Sequence, residues 1–267
     1  MKKTTTKTSS KLPIKPVASI DRVSSYAIYG RAGSGKTTLS STFPKPLLLF
    51  DINDKGTDSI SDVKGVFVAQ IEEADDIEDM YYRLLSGDLK GKYKTIVFDT
   101  VTEWQKLVMR KVVEGKRKKT DRLGDWGTMA KRDWGDVAAE MNKWITDFRD
   151  LPYEVVFLAQ ERVRGLGDDD DSDNQITPEV GPAVMPSIKS TLNAAVNVIG
   201  NTFVRTKKTI KEVKGKKKTE EKYVYCLRVG PNPIYDTKIR KPRKVEAPDF
   251  LEDPTFDDIM DIVKGEV

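Results

Sequence analysis

The sequence predicts an α/β fold: a mostly parallel sheet with helices on both faces, organised around one phosphate-binding loop. Two observations predict it. Short, near-continuous apolar runs alternate with segments of helical periodicity, the pattern of strands buried on both faces and joined through helices. Between the first apolar run and the segment after it, Gly30, Gly35, Lys36 and Thr37 satisfy G-x-x-x-x-G-K-[ST], a loop that requires a strand before it and a helix after it.

The elements follow in order. Tyr26–Tyr29 is the strand that feeds the loop, and Thr38 to Phe43 is expected to be helical, ended by Pro44. Further strands are expected at Leu47–Phe50, more weakly at Val66–Val68, at Thr95–Phe98 and at Glu154–Ala159. Helices are expected over Ala74 to Ser86 with Gly87 as C-cap, over Val101 to Glu114 and over Lys131 to Arg149. Met185 to Ala195 reads as a helix before a strand at Val196 to Val204. Beyond Arg205, Thr209–Val213 and Lys222–Arg228 read as a hairpin around the charged tip Lys214-Gly-Lys-Lys-Lys218. Phe256, Ile259, Met260 and Val263 have helical spacing in an acidic segment. The expected regions are a flexible basic arm (1–19), a core (20–205), a basic hairpin extension (206–245) and an acidic tail (246–267).

Composition narrows the function classes. Among 267 residues there is no histidine, which removes His-based triads, imidazole acid–base catalysis and most zinc sites. The single cysteine, Cys226, suits a reducing cytoplasm and is expected to be a buried structural thiol. No run approaches the ~18 apolar residues of a membrane span, and the Lys/Thr/Ser-rich start lacks the apolar core of a signal peptide. The net charge of +4 is unevenly spread: Arg205 to Lys244 holds fifteen Lys/Arg against four Asp/Glu, and Val245 to Val267 holds eight acidic residues and one Lys. A basic region beside an acidic tail points to nucleic acid as one partner and to a protein partner, or self-screening, through the tail.

The loop carries the chemistry. Gly30, Arg31, Ala32, Gly33, Ser34, Gly35, Lys36, Thr37 and Thr38 are expected to wrap the phosphates of ATP, with backbone N–H groups aimed at phosphate oxygens. Lys36 would reach the β- and γ-phosphates, and the Thr37 hydroxyl would ligate Mg²⁺. Asp99 closes the apolar run Thr95-Ile-Val-Phe98, so it is the second expected magnesium residue, beside the loop and acting through water. For the water-activating group the candidates are Asp54, with Asp51 as a possible strand terminator, and Glu103, which the spacing Thr100-Val-Thr-Glu103 also fits as part of a capping box. Gln160, after Ala159, would sense the γ-phosphate or simply hydrogen-bond at a strand end. Asn53-Asp-Lys-Gly56 does not match the N-K-x-D pattern that reads guanine.

The order P-loop, strand ending L-F-D, strand ending V-F-D-T, strand ending F-L-A-Q resembles the RecA-type ATPase core over about Val23 to Arg205. More narrowly it is similar to phage nucleotide-binding proteins that are minimal RecA-core recombinases implicated in single-strand annealing. That resemblance implies a DNA-dependent ATPase that binds single-stranded DNA, with ATP held between subunits of a homo-oligomeric ring or filament. It also implies DNA contacts from two loops, roughly Gly115 to Arg132 and Arg162 to Pro186. These carry Lys116, Arg117, Lys118, Lys119 and Trp126 in the first and Arg162 and Arg164 in the second, opposed by Asp168–Asp171. Lys216, Lys217 and Lys218 at the hairpin tip add a third basic element, and Arg162, Arg164 or a lysine near Lys207 is a candidate for acting on a neighbour's nucleotide. The chain departs from the RecA pattern at Phe50-Asp-Ile-Asn-Asp54, which has no glutamate. A nucleotide-gated DNA-binding or helicase-loading factor with little turnover, and a small-molecule P-loop kinase, are the alternatives.

Overall fold

A computed structural model describes residues 23–53, 56–117, 129–165, 178–213 and 216–266. In chain order the elements are β1 (Ser25–Gly30), α1 (Lys36–Ser40), β2 (Leu47–Ile52), a 3₁₀ turn (Thr57–Ile60), β3 (Val66–Ile71), α2 (Ala74–Leu85), β4 (Thr95–Asp99), α3 (Val101–Arg117), α4 (Lys131–Arg149), β5 (Glu154–Arg164), β6 (Glu179–Pro182), α5 (Pro186–Ala195), β7 (Val198–Val213), β8 (Lys216–Arg228), β9 (Lys238–Ile239), β10 (Phe250–Glu252) and α6 (Phe256–Lys264).

The sheet runs β10-β8-β7-β1-β5-β4-β2-β3, with β6 on β5 and β9 on β7. From β7 to β3 every neighbouring pair is parallel, and the β8 and β10 additions are antiparallel. Strand β1 therefore lies between β5 and β7, and the chain leaves it first toward β2 and only later returns to add β7 on its other side. That reversal opens a crevice at the carboxyl end of β1, where ligands of open parallel sheets bind.

Alternation along the strands divides the core in two. Ala27 and Tyr29 face a layer containing Trp104, Val137, Met141, Phe148 and Leu192 from α3, α4 and α5. Tyr26 and Ile28 face the opposite layer, with Leu39, Phe43, Ile259 and Ile262. The expected arrangement of helices on both faces is thus the one observed. Phe98 anchors the larger layer: its ring stacks on Trp104 at 4.9 Å and on Phe157 at 5.1 Å.

Several elements depart from their expected limits for identifiable reasons. Helix α1 starts earlier, at Lys36, and stops at Ser40 instead of reaching Phe43. Ser40, Ser41 and Thr42 each turn a hydroxyl back to the carbonyl three residues before, which competes with further helical bonds. The strand expected to end at Ala159 continues to Arg164 because 161–164 pair antiparallel with 179–182. Arg162 and Arg164 therefore lie in a strand and not, as expected, in a loop. The strand from Val198 runs unbroken to Val213, so the basic hairpin grows directly out of the core sheet.

The acidic tail is also tied in. Thr255 caps α6, its hydroxyl accepting from the Asp258 N–H, and Gly265 ends it in the left-handed conformation. Ile259 and Ile262 are fully buried against β1 and α1, and Tyr26, Phe43 and Phe256 pack their rings edge-on or tilted at 4.8–6.3 Å. Cys226 is a free, buried thiol whose pKa burial raises, as expected of a structural cysteine. Among the described residues no helix is long and apolar enough to cross a membrane. Truncating Ile262 to Ala should cost about 2–5 kcal/mol, read as a lowered urea midpoint with the slope preserved, because it empties a site sealed on all sides.

Candidate nucleotide-binding site

The loop between β1 and α1 closes on itself before any ligand is considered. Gly33 and Gly35 take positive φ (75° and 88°), values that side chains rarely tolerate. Gly30 has a different reason to be glycine: a methyl there would meet Thr202 Oγ1 at 2.3 Å and the Thr202 carbonyl at 2.4 Å. Ser34 Oγ donates to the Arg31 carbonyl at 2.7 Å and shares a 2.6 Å hydrogen bond with Thr202 Oγ1. The loop is thereby fastened to β7, the strand that becomes the hairpin.

Lys36 is buried and aims its ammonium into the loop. Nζ donates to the carbonyls of Gly30 (3.0 Å) and Arg31 (2.8 Å) and to Gln160 Oε1 (3.5 Å). A buried ammonium held by the loop's own carbonyls puts positive charge where an anion of high charge can bind.

Thr37 Oγ1 donates to Asp99 Oδ2 at 2.7 Å. Asp99 thus lies beside the loop, as expected, although its strand is not the neighbour of the loop strand: β5 separates β4 from β1. Asp99 nonetheless reaches Thr37, because β4 ends in register with Leu158, short of Gln160, and leaves the space above β5 open. Hydroxyl and carboxylate oxygens side by side are a hard donor set that fits Mg²⁺, which would neutralise charge between the β- and γ-phosphates when bound.

Gln160 sits at the junction of these parts. It pairs in register with Gly30, its N–H donates to Thr102 Oγ1 at 3.0 Å, and its carbonyl accepts from the Ala183 N–H at 2.8 Å. Its side chain touches Lys36 while its backbone leads two residues later to Arg162. The next residue, Glu161, pairs with Arg31 (3.4 Å) and accepts from Asn201 Nδ2 (3.0 Å). Asn201 Oδ1 accepts in turn from Arg228, whose guanidinium lies over the Tyr235 ring at 3.9 Å. A polar chain thus runs from the loop across β5 and β7 to β8.

Other candidates fall elsewhere. Asp54 lies outside the described residues, as do Lys118, Lys119, Trp126 and Asp168–Asp171. Asp51 is buried and stands in register with Asp99. Glu103 supplies half of the expected capping box: its N–H donates to Thr100 Oγ1 (3.3 Å), while its carboxylate takes Lys106 instead (2.6 Å). Lys116 and Arg117 fall in the last turn of α3 rather than in a loop. Arg164 Nη2 donates to the Val184 carbonyl at 3.1 Å. Lys216, Lys217 and Lys218 open β8, paired with Val213, Glu212 and Lys211.

The cavity over the loop has a volume of about 700 Å³, within the range of small-molecule sites. Besides Ala32–Leu39, Asp99 and Gln160 it is lined by Thr202, Tyr225, Asp253 and Thr255, none of which the sequence patterns singled out. These residues belong to no motif, and only the folding of β7, β8 and the C-terminal segment brings them to the loop.

A family model described as an AAA domain matches residues 23–240, most of the chain. The chain belongs to this AAA-domain family. The matched span contains the loop, Asp99 and Gln160, so the AAA-type P-loop ATPase domain supplies most of the cavity just described, while Asp253–Thr255 lie beyond it. No curated protein matches the sequence. Among solved structures, the crystal structure of the flagellar accessory protein FlaH from Methanocaldococcus jannaschii is similar at 7% identity, covering 77% of this chain and 76% of that one, with a TM-score of 0.36.

The two kinds of glycine in the AAA loop should separate in mutants. Gly30→Ala should lower stability by about 1–3 kcal/mol through the clash with Thr202. Gly33→Ala meets no atom within 4 Å and should cost only the ~1–2 kcal/mol of left-handed strain. Thermal unfolding of the two variants checks the order.

Proposed function

We propose that the protein is an ATP hydrolase that binds single-stranded DNA in a nucleotide-dependent way and promotes annealing or strand exchange in phage DNA metabolism. The observation that carries this reading is Gln160. One residue touches the phosphate-binding lysine and sits on the strand that continues to Arg162 and Arg164. Loss of a γ-phosphate would change what Lys36 holds, and through Gln160 the β5–β6 ribbon would move with it.

ATP and Mg²⁺ occupy the loop in this reading, with Lys36 and the loop N–H groups on the phosphates and Thr37 and Asp99 on the metal. Asp51 or Asp54 orients the attacking water. DNA runs along Lys116–Lys119, the β5–β6 ribbon and the lysines that open β8, and its phosphates contact cations from separate elements. A homo-oligomer places one subunit's basic residues at the next subunit's nucleotide, and the acidic tail offers carboxylates to a replication partner. The site acts in the cytoplasm of the host cell.

A factor that binds nucleotide with little turnover is favoured by one observation: β2 ends Phe50-Asp-Ile52, with no glutamate at its carboxyl end. A phosphate-release assay with and without single-stranded DNA separates the two readings. ATP turnover should rise with single-stranded DNA, and Lys36→Ala should lower it by roughly 100-fold or more. Turnover that stays flat across a DNA titration removes the DNA role, and tight ATP binding without phosphate release selects the low-turnover reading.

A further inference from the structure

The phosphate loop lines only one end of the cavity. The other end is built by Thr42 and by residues remote in sequence, namely Tyr225 from β8 and Asp253, Pro254 and Thr255 between β10 and α6. The Tyr225 ring is laid along the loop, so that a methyl on Gly35 would meet its Cδ1 at 3.0 Å. Yet the side chain is 47% exposed, with open cavity beside it.

This wall is held in place by backbone bonds. The Asp253 N–H donates to the Tyr225 carbonyl at 2.6 Å, and the Tyr225 N–H donates to Asp253 Oδ1 at 3.3 Å. Asp253 takes a positive φ of 45°, which turns the chain from β10 toward α6 and across the mouth of the cavity. At the far side the Phe256 N–H donates to Thr42 Oγ1 at 2.9 Å, tying the start of α6 to the end of the loop helix. The burial of Ile259 and Ile262 clamps α6 behind it.

From Gly35–Thr37 the cavity continues along Thr38, Leu39 and Thr42, where it is bounded by one exposed aromatic ring and a polar turn. We propose that this half takes the ribose and heteroaromatic base of the nucleotide, with the base stacked on Tyr225 and its edge facing the Asp253–Thr255 turn. The inference rests on the nucleotide-binding reading above. It makes the C-terminal segment part of the site, and it places the recognition of a base, as distinct from phosphate, on β8.

Calorimetry with Mg²⁺ tests it, using ATP and inorganic tripolyphosphate as separate ligands. The proteins are wild type, Tyr225→Ala, Tyr225→Leu and Tyr225→Phe, each first checked for an unchanged thermal midpoint. Stacking of one base on an aromatic side chain predicts a loss of roughly 5- to 150-fold in ATP affinity for the Ala variant. Tripolyphosphate affinity should be unchanged, and Phe should retain the wild-type value for ATP. Leu, which keeps apolar volume on β8 without the ring, should resemble Ala and substitutes for it where Ala lowers the midpoint. ATP affinity within twofold of wild type in both Ala and Leu overturns the base subsite alone, as does an equal loss for the two ligands. A folded wild type that takes up neither ligand overturns the nucleotide reading and this inference with it.

Discussion

The hydrogen bond from Thr37 to Asp99 is the contact on which the site depends, because it spans a strand. Thr37 belongs to the turn that follows β1, and Asp99 ends β4; β5 lies between them. For the two oxygens to meet at 2.7 Å, three parallel strands must be present in the right order and register, with β4 ending short enough to leave room above β5. Bringing them together is the work of the two apolar layers, one centred on Phe98, Trp104 and Phe157 and the other on Tyr26, Phe43 and Ile259. A polar pair worth little by itself in water is held together by burial on both sides of the sheet.

The same sheet joins the loop to two outlying elements. Gly30 is pressed against Thr202, Ser34 hydrogen-bonds to it, and Tyr225 lies along Gly35. Thr202 and Tyr225 sit on the two strands of the basic hairpin, so the hairpin is rooted in the phosphate loop rather than attached at a distance. On the other flank, Gln160 joins Lys36 to the β5–β6 ribbon. The hairpin and the β5–β6 ribbon thus both begin at residues that touch the loop. Arg31, Glu161, Asn201 and Arg228 form a second connection across the same strands, charge-assisted at each end.

Sequence alone determined the alternation of strands and helices, the loop, and Thr37 and Asp99 as the residues to look for beside it, because each follows from local chemistry: apolar periodicity, glycine's freedom at positive φ, and the residue types that phosphate and a hard cation require. It placed α4 at both ends and α2 within one residue. Only the tertiary structure decided that β5 lies between the strands that bring Thr37 and Asp99 together and that β5 extends into a ribbon with β6. Only it decided that α6 docks on β1 and that Thr202, Tyr225 and Asp253 complete the cavity. The reason is physical. A strand's neighbours and the far wall of a pocket depend on which buried faces match in three dimensions, and nothing within a few residues of Tyr225 records that Gly35 will lie against its ring.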